Sequence, residues 1–232
     1  MENPSASVFE VFDGRFQDLL GPSPTLDLLL ENNNYPFAHE AGVFLPSTNE
    51  LFITSNQFLN SSQERCVQIS KVTFKHESKV AACEEIPSHD IPMANGGINY
   101  KDGILFCAQG SQNSPSGLYH MSTTPPYVNK LLISSFYGRP FNSVNDVVIH
   151  NDGSIWFTDP VYGYHQGYRP KPDLPNQVYR YDPEMKSIRA MADGFGRPNG
   201  ICFSPDEKIV YVTDTDWIHK PGDTDGTRPS TM

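Results

Sequence analysis

Residues 145–158, Asn-Asp-Val-Val-Ile-His-Asn-Asp-Gly-Ser-Ile-Trp-Phe-Thr, read as one β-hairpin with a polar head. Asn145 precedes a short apolar strand. Asp152-Gly153 then marks a tight turn, because glycine accepts the positive φ that such turns demand. Ile155, Trp156 and Phe157 supply the aromatic and β-branched side chains of a second strand, with Trp156 and Phe157 expected in the core. The same design occurs at 40–54 (EAGVFLPSTNELFIT), 95–108 (NGGINYKDGILFCA) and 199–213 (NGICFSPDEKIVYVT). The heads Glu40, Asn95, Asn145 and Asn199 lie 55, 50 and 54 residues apart.

A period of this length with several strands per unit is the signature of propeller blades. The runs Cys66–Phe74, Asn176–Tyr181 and Ser187–Ala192 are expected as outer strands. The fold class is therefore all-β, a partial β-propeller occupying residues 1–232 as one domain, with a polar tail at 219–232. A β-sandwich has strands every 8–12 residues but no longer period and no repeated polar head, so it fits less well. Blade-opening strands line the central channel of a propeller. Glu40, Asn95, Asn145 and Asn199 should then converge, and carboxylate and amide oxygens are the ligands a hard cation prefers. A buried carboxylate is costly unless it is paired or bound to a cation.

Composition removes other classes. The net charge is −10 and no Lys/Arg cluster offsets it, which argues against nucleic acid. Cys66, Cys83, Cys107 and Cys202 follow no zinc spacing. Cys66, Cys107 and Cys202 lie in apolar runs and are expected as reduced core residues. The N-terminus shows neither a basic n-region nor an apolar h-region, and no apolar run reaches a membrane-span length, so a cytoplasmic protein is expected. No Gly-x-Ser-x-Gly nucleophile elbow and no phosphate-cradling glycine loop occurs.

Longer motifs carry a family resemblance. They are Phe37-Ala38-His39-Glu40-Ala41, Asn95-Gly96-Gly97, the run 136–147 (FYGRPFNSVNDV), 159–164 (DPVYGY), 176–181 (NQVYRY), Arg197-Pro198-Asn199-Gly200 and 211–215 (YVTDT). Over about residues 7–220 the chain resembles the gluconolactonase/regucalcin family, and within it the fungal lactonohydrolases. The resemblance implies a six-bladed propeller with Ca²⁺, or another divalent cation, in its channel. It implies metal ligation by Glu40, Asn145 and Asn199, and contacts to a small-molecule lactone near Asn95, His39 and Arg169. The implied reaction is calcium-dependent hydrolysis of a sugar or secondary-metabolite lactone, the cation polarising the ester carbonyl and activating water.

The family's fourth ligand, an Asp of a later blade and its candidate general base, has no counterpart here. Asp223 and Asp225 lie in the polar tail; Asp214 and Asp216 are expected near the channel mouth. Six blades of about 50 residues need roughly 300 residues. About three and a half blades are expected, a C-terminally truncated arc with the segment Ser7–Leu20 as an isolated outer strand. The alternative to an enzyme is a non-catalytic fragment that keeps only metal or partner binding. His39 either touches substrate or caps a loop. The segment Tyr162–Leu174, rich in aromatic residues and proline, is either a lid carrying Arg169 or an ordered surface loop.

Overall fold

All four polar-headed hairpins form in the computed structural model, which describes residues 9–74, 81–87, 90–220, 223–228 and 230–231. The first blade is an antiparallel sheet in the order β1 (Glu40–Leu45), β2 (Glu50–Thr54), β3 (Ile69–Phe74), β4 (Ala81–Ile86). The second runs β5 (Ala94–Tyr100), β6 (Gly103–Ala108), β7 (Gly117–Ser122), β8 (Asn129–Ile133). The third runs β9 (Val147–Ile149), β10 (Ile155–Asp159), β11 (Gln177–Asp182), β12 (Ser187–Ala192). The fourth sheet contains β13 (Pro198–Phe203) and β14 (Val210–Asp214). Three full blades and half of a fourth are thus described, as the period predicts.

The second strands carry the core. Phe52, Phe106 and Phe157 sit two residues before the end of β2, β6 and β10, and all three are fully buried. Each such burial contributes roughly 1.5–3 kcal/mol. One apolar cluster joins blades one and two through Val43, Phe52, Ile104 and Phe106. Another joins blades two and three through Leu105, Leu118, Phe157 and Tyr179. Sheet thus packs on sheet around the channel.

Several expectations are corrected. Residues 7 and 8 lie outside the described residues, and the rest of the proposed outer strand contains helix α1 (Gly14–Leu20). Asp13 caps it, its carboxylate accepting from Arg15 N. Met1–Glu31 and Asn32–Met232 form two compact units. The polar tail is not structureless: Ile218–Lys220 pairs with Asp223–Thr224, and Thr231 exchanges two backbone hydrogen bonds with Asp214. Cys202 is exposed and Trp156 is half-buried, its ring edge-on to Phe203 of the next blade; Cys107 is buried. All four cysteines are free. At Asp102-Gly103 the positive φ falls on Lys101 (+53°), not on the glycine. Gly103 is required instead by close approach, since a Cβ there would strike the Met121 carbonyl and the His120 ring.

Candidate metal and substrate site

His39, Glu40, Asn95, Asn145 and Asn199 line one cavity of about 210 Å³. Tyr162, Gln57, Gln109, Gln166 and Thr215 complete its polar wall. The structure therefore brings together five of the six residues named from sequence. It does not bring Arg169. That side chain is buried and its guanidinium is spent on backbone carbonyls: Nε on Asn142 O (2.9 Å), Nη1 on Ser111 O and Ser114 O (2.8 and 2.9 Å), Nη2 on Phe141 O (2.9 Å). Arg169 pins the loop rather than facing a ligand. The surrounding segment is packed and ordered, with α2 (Tyr162–His165) at its start and Tyr168 and Leu174 buried.

The Asn145 backbone is held from three sides. Its carbonyl accepts from Gly96 N (2.9 Å) and Asn95 Nδ2 (3.2 Å), and its N–H donates to Thr158 O (3.0 Å). A Cβ at Gly96 would come within 2.6 Å of that carbonyl, so glycine is required there by the approach of the two blades. A carbonyl can only accept, which fixes every amide behind it. Asn95 must turn its NH₂ toward Asn145, leaving Oδ1 to accept from Gln109 Nε2 at 3.0 Å. Gln109 Oε1 in turn accepts from the Tyr168 hydroxyl. The oxygen of Asn95 is consequently committed within the protein, although Asn95 occupies a head position.

Asn145 Oδ1 has the opposite status. It is buried and has no hydrogen-bond donor among the described residues. Such an orphan oxygen is costly unless something outside the protein meets it. Asn199 gives its Nδ2 to the Tyr162 hydroxyl (3.1 Å), which leaves Oδ1 as its ligating end. The Tyr162 hydroxyl is itself hydrogen-bonded to Thr215 Oγ1.

Blades three and four use one device to set these heads. Thr158 Oγ1 accepts from Asp146 N (3.1 Å), and Thr213 Oγ1 accepts from Gly200 N (2.8 Å), the residue after each head. Asp159 accepts from Asn142 N and Ser143 N (2.9 and 2.7 Å). Asp214 likewise accepts from Gly196 N and Arg197 N (2.8 and 2.6 Å). A Thr-Asp pair closing the second strand thus grips the head loop on both sides. Asp214 is spent on this grip, and Asp216 pairs with Arg228 (2.8 Å), so neither serves the cavity.

The electrostatics are those of crowded carboxylates. Burial raises the Glu40 pKa, and the nearby charge of Asp146 raises it further. Burial also raises Asp146, against hydrogen bonds from Ile201 N and Val147 N. Burial pushes Asp159 up to about 7. His39, on the cavity wall, lies 4.0 Å from Glu40 Oε1 through Nε2, and partial burial lowers its pKa, which favours the neutral imidazole.

The donor set fits a hard divalent cation: the Glu40 carboxylate, the orphan Asn145 oxygen and the Asn199 oxygen. Among the described residues no three His, Cys, Asp or Glu side chains gather as a metal cluster, so an imidazole- or thiolate-held ion has no counterpart here. Gln109 and Tyr168 were missed from sequence. The available signal was register, since Gln109 directly follows β6 as Thr215 directly follows β14, and both line the cavity.

Fold and site together define a β-propeller protein with an oxygen-lined cavity on the channel. The chain belongs to the family described as SMP-30/Gluconolactonase/LRE-like region, whose model matches residues 66–218. Asn95, Asn145 and Asn199 fall inside the matched segment; Glu40 precedes it. The lactonohydrolase oryL of Aspergillus oryzae is 33% identical over 206 residues, covering 85% of this chain and 44% of that protein. A gluconolactonase of Zymomonas mobilis is 33% identical over 141 residues, covering 57% of this chain and 37% of that protein. Among solved structures, a gluconolactonase of Xanthomonas campestris superposes with a TM-score of 0.62 at 24% identity, over 78% of this chain and 56% of that one. The chain spans about half the length of the curated relatives it matches. Among the described residues no helix is long and apolar enough to cross a membrane.

Proposed function

We propose that the chain carries the cation-binding half of a lactone-hydrolysing site, acting on a small uncharged lactone with Ca²⁺ as the metal. The observation that carries this reading is the orphan Asn145 oxygen, buried in the same cavity as the Glu40 carboxylate and the Asn199 amide. Glu40, Asn145 and Asn199 would hold the cation. When bound, it supplies Lewis-acid polarisation of an ester carbonyl and a lowered pKa for water.

The protein's own groups have separable tasks. Gln109 and Asn95 orient Asn145 through the amide chain. Tyr162 and Thr215 orient Asn199. His39 presents the neutral imidazole on the cavity wall, a nitrogen able to take a proton from attacking water and return it to the leaving alkoxide. Among the described residues no lysine or arginine lines the cavity, which suits an uncharged ring better than a phosphorylated one. Membership of the lactonase-containing family and the likeness to a protein named a lactonohydrolase support the reaction class; a sugar or secondary-metabolite lactone is the substrate we propose.

The test is lactone hydrolysis followed by acid release, with and without chelator, for the wild type and Glu40→Gln. Chelator-sensitive turnover that the substitution abolishes is the expected result. Turnover unaffected by chelator would overturn the metal role.

A further inference from the structure

Gln57 and Gln166 both line the axial cavity, and a hydrogen bond joins them. Gln57 follows β2 of the first blade, and Gln166 follows α2 within the third. The sense of their bond is set from outside the cavity. Arg65 has only protons to give, and its Nη1 donates to Gln57 Oε1 (2.5 Å). Gln57 must then present Nε2 to its neighbour, and Nε2 donates to Gln166 Oε1 (2.5 Å). Gln166 keeps Nε2 as its available end, a donor with two protons. Among the described residues neither proton has an acceptor.

Arg65 is itself held. The short hairpin of Phe58–Leu59 with Arg65–Cys66 carries it close to Gln57. Its guanidinium lies over the Tyr168 ring, 5.6 Å from the centroid. The Tyr168 hydroxyl donates to Gln109, where the amide chain toward Asn145 begins. One buried tyrosine thus anchors two relays. The first leaves an oxygen bare at Asn145, and the second leaves N–H groups bare at Gln166.

The two ends meet in one cavity. Gln166 lies four residues after Tyr162, and its N–H donates to Tyr162 O (2.9 Å). Side chains so spaced rise from one face of a turn, with Cβ atoms about 5–6 Å apart. The Tyr162 hydroxyl in turn accepts from Asn199 Nδ2 (3.1 Å). Oxygens for the cation and a fixed donor for something else therefore share one wall.

We propose that Gln166 is a specificity-determining residue, donating a hydrogen bond to an acceptor oxygen on the ring edge remote from the ester carbonyl. Gln57 and Arg65 are its positioning residues. This rests on the lactone reading above and adds to it one polar feature of the substrate. A ring with an oxygen at that edge meets the bare N–H groups, whereas a ring with carbon there strips them of water and gives nothing back. Gln166 is half-buried, so water competes and the discrimination is modest.

The experiment uses lactams, which resist hydrolysis, so binding is read without turnover. Piperidine-2,5-dione and 5-methylidenepiperidin-2-one have the same shape and differ only in oxygen or CH₂ opposite the amide carbonyl. Each is titrated into the Ca²⁺-loaded chain by calorimetry, for the wild type, Gln166→Leu, Gln166→Glu and Gln57→Leu. The dione is expected to bind the wild type about fivefold tighter. Gln166→Leu should bring that ratio to one or below. Gln166→Glu should invert it, because the carboxylate still accepts from Gln57 but repels the ketone oxygen. Gln57→Leu should lower it, because the Gln166 amide loses its fixed sense. A wild-type ratio near one, with both rings bound, overturns the proposal alone. A preference that neither Gln166 variant moves places the acceptor elsewhere and also overturns it. A preference lost in the Gln166 variants but kept in Gln57→Leu overturns the relay. Binding of neither lactam overturns the lactone reading and this assignment with it.

Discussion

Gln109 Nε2 donates to Asn95 Oδ1 at 3.0 Å, and that bond withdraws the Asn95 oxygen from the cavity while leaving the Asn145 oxygen bare. The two asparagines occupy the same position in successive blades yet have different electronic ends available. Replacing Gln109 by Leu should leave Asn95 Oδ1 buried without a donor and loosen the amide chain. We expect a loss of about 1–3 kcal/mol in stability, and a cation affinity lower by about tenfold, ~1.4 kcal/mol. Thermal unfolding and calorimetric Ca²⁺ titration measure the two.

Glu40→Gln separates binding from folding. The carboxylate is destabilised by burial and by Asp146, so neutralising it relieves the metal-free chain. Cation affinity should fall by about a hundredfold or more, ~2.7 kcal/mol, while the metal-free melting temperature stays level or rises. A fall in both would show that Glu40 serves the fold.

Asp159 gives the metal-free chain a pH signature. Its folded pKa is raised to about 7 from an ordinary value of 3.8, so the folded state holds a proton that the unfolded state releases. Stability is then fully present below about pH 4 and is lost as pH rises toward 7, at up to about 1.4 kcal/mol per pH unit. Glu40 and Asp146 are raised as well and act in the same direction. Urea unfolding between pH 4 and 8 should show this slope. Asp159→Asn should flatten it while lowering stability overall, because one of the two N–H groups it accepts loses its oxygen.

Gly96→Ala places a methyl 2.6 Å from Asn145 O and 2.7 Å from Asp146 Oδ1. Blades two and three must separate to admit it. The expected cost is about 1–3 kcal/mol, accompanied by weaker cation binding because Asn145 moves with its carbonyl.

Arg169→Lys tests the loop-pin role. Lysine keeps the charge but cannot reach four carbonyls with one planar fork. Stability should drop by several kcal/mol, roughly 3–5 for a buried group whose partners are stranded, and the segment 162–174 should become the first site of limited proteolysis. Unchanged stability with a raised KM would instead mark Arg169 as a ligand contact.

The blades and their heads were legible because each hairpin repeats one pattern, a polar residue before an apolar strand, and repetition survives without coordinates. Glu40, Asn95, Asn145 and Asn199 were found in this way, and His39 entered as the residue before Glu40. Of the two readings offered for the segment around Arg169, lid or ordered loop, the sequence could not choose, because four carbonyls converge on that arginine only in the fold. Gln109 and Tyr168 were missed because their roles arise from hydrogen bonds across 14 and 59 residues, and only the register of Gln109 just after β6 hints at its place. The helix at Gly14–Leu20 was missed because the stretch was matched to an outer strand, although Asp13 before Gly14-Arg15 is a cap signal in plain view.

The Thr158-Asp159 and Thr213-Asp214 grips have a further consequence for how such a protein can vary. These grips on the loops before Asn145 and Asn199 come from the end of each blade's second strand, while Asn95 and Gly96 of the neighbouring blade and Tyr162 of α2 add the remaining bonds. Outer strands such as β12, mostly exposed, can drift in sequence without moving either amide. A lineage built on this scaffold can recolour its perimeter freely while its central chemistry stays put.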